Sequence, residues 1–160
     1  MKLLRAALLL LLTVPAVVGS SAAAVALAPR AAPTAALFSW VPAGGFPDRF
    51  PFGQCTWWAA YNRQVTWDGN AADWLANAAA EGVPTSAAPA VSAIVVYRPG
   101  GTYSNYGHVA IVVAVTAETY TVSEMNAVGW GRVSTRTVRW PDPLVDGFIP
   151  VSPVRAPDVR

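Results

Sequence analysis

The chain has 160 residues, 54% hydrophobic and only 12% charged, with a formal net charge of +2. Once Lys2 and Arg5 are set aside with a leader, nine basic residues face nine acidic ones; the arginines are scattered, which argues against the basic stripe of a nucleic-acid surface. A single cysteine, Cys55, excludes an internal disulfide, so the thiol is buried and inert, bonded to another chain, or reactive.

The first residues read as a secretory signal. Lys2 and Arg5 form a positive start, Leu8 to Val18 is apolar but broken by Thr13 and Pro15, and small residues from Gly19 to Ala28 offer cleavage sites after Ala24 or Ala28. The run is too short to span a bilayer comfortably, which predicts a cleaved signal over 1–28, a secreted or wall-associated protein and no stable membrane span. A retained anchor is the alternative. An Ala-rich, Pro-broken linker is expected over 29–45, one domain over 46–153 and a fraying tail over 154–160.

Within the domain, apolar spacing predicts a helix over Thr56 to Val65, with Cys55 at or beside its start. A second helix is predicted over Ala71 to Ala80, with Asn70 as N-cap and Gly82 as stop. Strands follow over Ser92 to Tyr97, His108 to Val115, Tyr120 to Asn126, Val133 to Val138 and Phe148 to Val151, the fourth with its Ser, Thr and Arg exposed. Helices followed by short strands on short turns give an α+β fold with an antiparallel sheet. Of the seven tryptophans, Trp57, Trp58, Trp67 and Trp74 are expected in the core, while Trp130, in a Gly-Trp-Gly loop, is expected at a substrate groove.

Cys55 at a helix start would feel unpaired N–H groups and the positive end of the helix dipole, which favour a thiolate. Free cysteine is also among the most buried residue types, and an inert core thiol is the bland alternative. Gly53 permits a tight turn before it, and the Gln54 amide and the Cys55 N–H can donate to an oxyanion. His108 is the only histidine and the natural base for the thiol; the bland alternative is a satisfied polar residue at a strand end. Glu124 and Asn126 share a strand face, and either can orient the imidazole. If Val115 pairs with Thr119, His108 falls opposite Asn126 and diagonal to Glu124; a one-residue slip puts them on opposite faces.

Four blocks carry a family likeness: Phe52-Gly53-Gln54-Cys55-Thr56-Trp57, Gly69-Asn70-Ala71-Ala72-Asp73-Trp74, Gly107-His108-Val109-Ala110 and Val122-Ser123-Glu124-Met125-Asn126. In this order they resemble the CHAP family, the cysteine, histidine-dependent amidohydrolase/peptidase domains of bacterial and phage cell-wall enzymes. The resemblance implies a papain-like α+β fold and a hydrolase that cuts an amide bond in peptidoglycan, as N-acetylmuramoyl-L-alanine amidase or peptide-bridge endopeptidase. It implies Cys55 as nucleophile, His108 as base, Glu124 as the residue orienting the histidine, Asn126 as a fourth member of the site and Gln54 as oxyanion donor; the pattern leaves open whether Glu124 or Asn126 is the main orienter. Some members hold calcium through closely spaced acids near the nucleophile; here only Asp48 lies close before Cys55, so neither metal nor cofactor is expected. A monomer is expected, with peptidoglycan as the partner. The rival reading is an inactive wall-binding or scaffolding module.

Overall fold

A computed structural model describes residues 44–150. The expected signal segment, nearly all of the linker and the tail lie outside the described residues.

Cys55–Asn62 forms the first helix, α1. It is shorter than the apolar spacing predicts because Arg63 turns extended (φ −143°, ψ 145°). The Asn62 side chain closes this end: its Nδ2 donates to the Trp58 carbonyl and its Oδ1 accepts from the Gly44 N–H. The second expected helix opens as a 3₁₀ turn, Ala71–Asp73, and continues as α2, Trp74–Ala80. At the start of the turn the Asp73 carboxylate accepts the Asn70 N–H at 3.0 Å, occupying an end group that the helix itself leaves unpaired.

Five strands follow: β1 (Ile94–Tyr97), β2 (His108–Val115), β3 (Thr119–Met125), β4 (Val133–Arg139) and β5 (Val145–Ile149). They form one sheet in the order β4-β3-β2-β1-β5, antiparallel at every pair. β1 starts later than expected because Ser92 sits at φ 72°, outside strand geometry. β5 starts earlier, at Val145.

The sheet buries both faces at its centre, so β1 and most of β2 are apolar without alternation, while β4 at the edge stays largely exposed. Ile94, Val96, Val109, Ile111 and Ile149 pack against the helices, together with Ala59, Ala60, Trp67, Trp74 and Ala78. Val95, Tyr97, Ala110, Val112, Tyr120, Val122 and Phe148 face the other way, under Tyr103, Trp140 and Leu144. Trp67 and Trp74 are core as expected and Trp58 packs partly buried against the helix-side core. Trp57 departs from expectation: it is half-exposed, stacked on Tyr61 and edge-on to Phe52. Among the described residues no helix is long and apolar enough to cross a membrane.

Candidate active site

The nucleophile candidate is placed by a turn that only glycine allows. Gly53 has φ 92°, and a Cβ there would lie 2.4 Å from the Trp130 indole. Gln54 follows as the extended N-cap, and Cys55 is the first residue of α1. Cys55 is 9% exposed and touches the helix-side core, yet it also lines a cleft of about 790 Å³. Its thiol is coupled to the His108 imidazole and, more weakly, to the backbone N–H groups of Val109 and Thr56. Burial pushes the thiol pKa up; the His108 hydrogen bond and charge, with the two N–H groups, outweigh it and leave the pKa lowered.

His108 opens β2 directly after Gly107, which sits at φ 70°. A Cβ on Gly107 would lie 2.7 Å from the Tyr97 carbonyl oxygen, so this strand entry also needs glycine. The imidazole Nε2 lies 2.9 Å from Glu124 Oε2. With Nε2 committed to the carboxylate, Nδ1 is the nitrogen left for the thiol. His108 is 5% exposed and Glu124 1%. Burial alone would lower the histidine pKa; the Cys55 and Glu124 hydrogen bonds and charges raise it to about 9. Burial alone would raise the Glu124 pKa, and the bonds from His108 and Arg136 bring it below the ordinary carboxylate value.

The meeting of β2 and β3 residues depends on register, and the register is reached by an indirect route. The hairpin begins with Val115 opposite Tyr120, one residue away from the expected pairing. A bulge between Val112 and Ala114 then absorbs one residue, giving Val112 opposite Val122 and Ile111 opposite Ser123. Continued to the end of β2, that register sets His108 across from Asn126 and diagonal to Glu124, the useful arrangement.

Only Glu124 of the two orienter candidates reaches the ring. Asn126, at φ 66°, turns away, and its Nδ2 donates to Gln54 Oε1 at 3.1 Å. That bond spends the carbonyl end of Gln54 and leaves its NH₂ available to the cleft, which Gln54, Cys55, His108, Glu124 and Asn126 all line. Trp130 is 66% exposed and stands beside the cleft, not in its lining, edge-on to Phe52 at 5.9 Å between ring centroids.

Two residues escaped the sequence reading. Arg136, expected on an exposed strand face, is half-buried and donates from Nε to Glu124 Oε1 at 2.7 Å. Tyr103, expected only as part of a Gly-rich loop, stacks on the His108 ring with centroids 5.0 Å apart and planes 6° from parallel. A β3–β4 hairpin with acid and arginine on one face was the available signal, but without a register the pair could not be assigned.

A family model described as the CHAP domain matches residues 45–126, which hold all four sequence blocks. A protein of Streptococcus mutans serotype c named "Putative hydrolase" is 41% identical over 73 residues, 41% of this chain and 30% of that protein. The crystal structure of an N-acetylmuramoyl-L-alanine amidase from Staphylococcus aureus matches at 37% identity, covering 55% of this chain and 27% of that one, with a TM-score of 0.49. The chain thus spans less than a third of each of these two proteins. With half of its length matched by the family model and its helices laid on an antiparallel sheet in the expected papain-like α+β manner, the chain belongs to the CHAP domain family.

Proposed function

We propose that this chain is a secreted cysteine hydrolase that cuts an amide bond in peptidoglycan at the cell wall, acting as a monomer. The observation that carries this reading is the series Cys55–His108–Glu124, drawn from α1, β2 and β3 and gathered at one cleft, with His108 hydrogen-bonded to Glu124 and coupled to the Cys55 thiol. In the reaction, the Cys55 thiolate attacks the amide carbonyl carbon and forms a C–S bond. The oxyanion takes hydrogen bonds from the Cys55 N–H, which a first helical residue leaves free of intrahelical partners, and from the Gln54 NH₂. The His108 imidazolium gives its Nδ1 proton to the nitrogen as the C–N bond breaks, and the amine leaves. Water, deprotonated by the now neutral ring, adds to the thioester, and the carboxylate departs as the thiol is restored. Side chains and water carry every step. Glu124 keeps the ring in the tautomer and orientation that point Nδ1 at sulfur, and Trp130 offers an aromatic face to substrate at the cleft's edge.

The test is Cys55→Ala. The folded variant should release no fragments from purified peptidoglycan, while the wild type should release fragments whose new amino termini, read by mass spectrometry, identify the severed bond as muramoyl–alanine or bridge peptide. Hydrolysis by the variant at the wild-type rate sinks the reading. An inactive wall-binding module would instead give a wild-type protein that binds wall, releases nothing and alkylates slowly at pH 6.

A further inference from the structure

The side chains behind the histidine form a closed circuit, and half of it lies outside anything assigned above. On the face of the sheet turned away from the helices, a polar row crosses four strands: Tyr97 on β1, His108 on β2, Glu124 on β3 and Arg136 on β4. Tyr97 is paired directly with His108, and Val122 with Arg136, which places Arg136 diagonal to Glu124. Arg136 donates to one carboxylate oxygen of Glu124 while His108 occupies the other. The Arg136 guanidinium lies over the Tyr97 ring at 5.1 Å and the Tyr103 ring at 5.7 Å, and its Nη2 donates to the Tyr103 hydroxyl. Tyr103, from the β1–β2 loop, then stacks on the imidazole and closes the ring of contacts back to His108. Arg136 lies beyond the segment matched by the family model.

We propose that Arg136 and Tyr103 are positioning residues that act on the reaction through Glu124 and His108. This rests on the reading of Cys55, His108 and Glu124 as the reacting group. The physical need is clear. A carboxylate 1% exposed carries a full charge out of water, and one imidazolium, whose charge is shared with the thiolate, is a poor sole counterion. Arg136 supplies the second cation and the second hydrogen bond, so Glu124 stays ionised and its Oε2 stays on Nε2. Tyr103 blocks one face of the imidazole and holds the guanidinium in the plane that reaches Oε1. The charged and titratable groups around Glu124 are then His108 on β2, Arg136 on β4, Tyr103 on the loop and, beneath the guanidinium, Tyr97 on β1 with its hydroxyl partner Tyr120 on β3, with Cys55 beyond the ring.

The test uses full-length protein and two readouts: the rate of Cys55 alkylation by iodoacetamide from pH 5 to 8, and fragment release from saturating peptidoglycan. Arg136→Gln removes the second cation, Glu124 takes up a proton at higher pH, and the acid limb of alkylation rises by about one unit, cutting the pH 5 to pH 8 rate ratio up to about tenfold. Fragment release should fall on the order of 10–100-fold, as when a hydrogen-bonding partner behind a functional ligand is lost. Arg136→Lys should restore the position of the limb but only part of the rate, because ammonium lacks the planar fork. A purely structural role leaves the limb where it is in all variants. If Arg136→Gln does not fold, Tyr103→Phe decides: it keeps the stack, frees the guanidinium, and should shift the limb in the same direction by less. An unshifted limb in every folded variant, on a wild-type thiol that alkylates fast at pH 6, overturns this inference alone. A wild-type thiol that alkylates slowly there overturns the catalytic reading beneath it.

Discussion

The two faces of the sheet hold the two halves of the site by different physics. On the helix side, Cys55 sits among Ala59, Val109, Ile111 and the Trp67–Trp74 pair, and its position is set by close packing. On the other side, the row from Tyr97 to Arg136 holds His108 by hydrogen bonds, ion pairs and ring stacking. Thiol and imidazole meet where β2 begins, at the rim between the two faces. A packed wall is indifferent to pH, whereas a row of charges is not. The comparison therefore separates two kinds of damage: loss on the helix face should lower stability with the pH profile unchanged, and loss on the polar row should move the profile.

The largest effect is expected at the rim itself. His108→Ala should lower fragment release by roughly 10²–10⁴-fold, the range for a lost general acid–base. It should also raise the Cys55 pKa, since burial, the largest influence on the thiol, pushes it up and the His108 bond and charge are the main forces opposing that. The wild-type profile follows from the same pair. The imidazolium's contribution to stability is complete below its unfolded value of 6.5 and is lost as pH rises through about 9, where the proposed general acid disappears and activity should fall. The thiolate's contribution runs the other way: its folded pKa is lowered, so it is lost as pH falls through that value. Glu124→Gln should move the basic limb below 9, because Glu124 helps to raise the His108 pKa. A basic limb that stays in place would break the link between carboxylate and ring.

Tryptophan supplies the next contrast. Trp74 is fully buried, edge-on to Trp67 with centroids 5.7 Å apart and 5.1 Å from the Phe50 ring. Trp74→Ala should cost about 3–5 kcal/mol in urea unfolding and leave the limbs of the surviving activity alone. Trp130, on its exposed loop, should cost roughly 0.5 kcal/mol or less on the same change. If it contacts substrate, Trp130→Ala weakens wall hydrolysis while alkylation of Cys55 keeps its wild-type rate. A melt lowered equally by both substitutions would erase the distinction between packed face and exposed rim.

How much of this was legible follows from the range of each interaction. The start of α1 at Cys55, the buried run of β2 and the core role of Trp67 and Trp74 depend on local spacing and on apolar burial, and spacing reports both. The short end of α1 was not legible, because it turns on Asn62 reaching back to Trp58 and across to Gly44. The bulge in β2 was not legible either: two errors, in the turn and in the strand, cancel to give the pairing of His108 with β3 that a simpler hairpin predicts. Arg136 stayed hidden for the same reason. A charged residue on an alternating strand is usually solvated, and only the three-strand register shows that this one faces a buried carboxylate.

The smallest effect is expected at the proposed oxyanion side, which touches neither face's core. Asn126 holds Gln54 by one hydrogen bond, and the β3–β4 loop behind it is tied to the glycine turn by Gly131 N–H donating to the Gly53 carbonyl. Asn126→Gly keeps the positive φ that this position requires and deletes only the amide, so backbone strain does not confound the result. Removing an oxyanion donor outright costs about 10²–10³-fold. Asn126→Gly leaves the donor present but free to turn, so a loss of about tenfold in fragment release is expected, less than for Gln54→Ala. Alkylation of Cys55 should be unchanged at every pH, because the thiol and its histidine are intact. An altered alkylation profile would mean that Asn126 acts on the imidazole after all, and the division of labour between Glu124 and Asn126 would have to be redrawn.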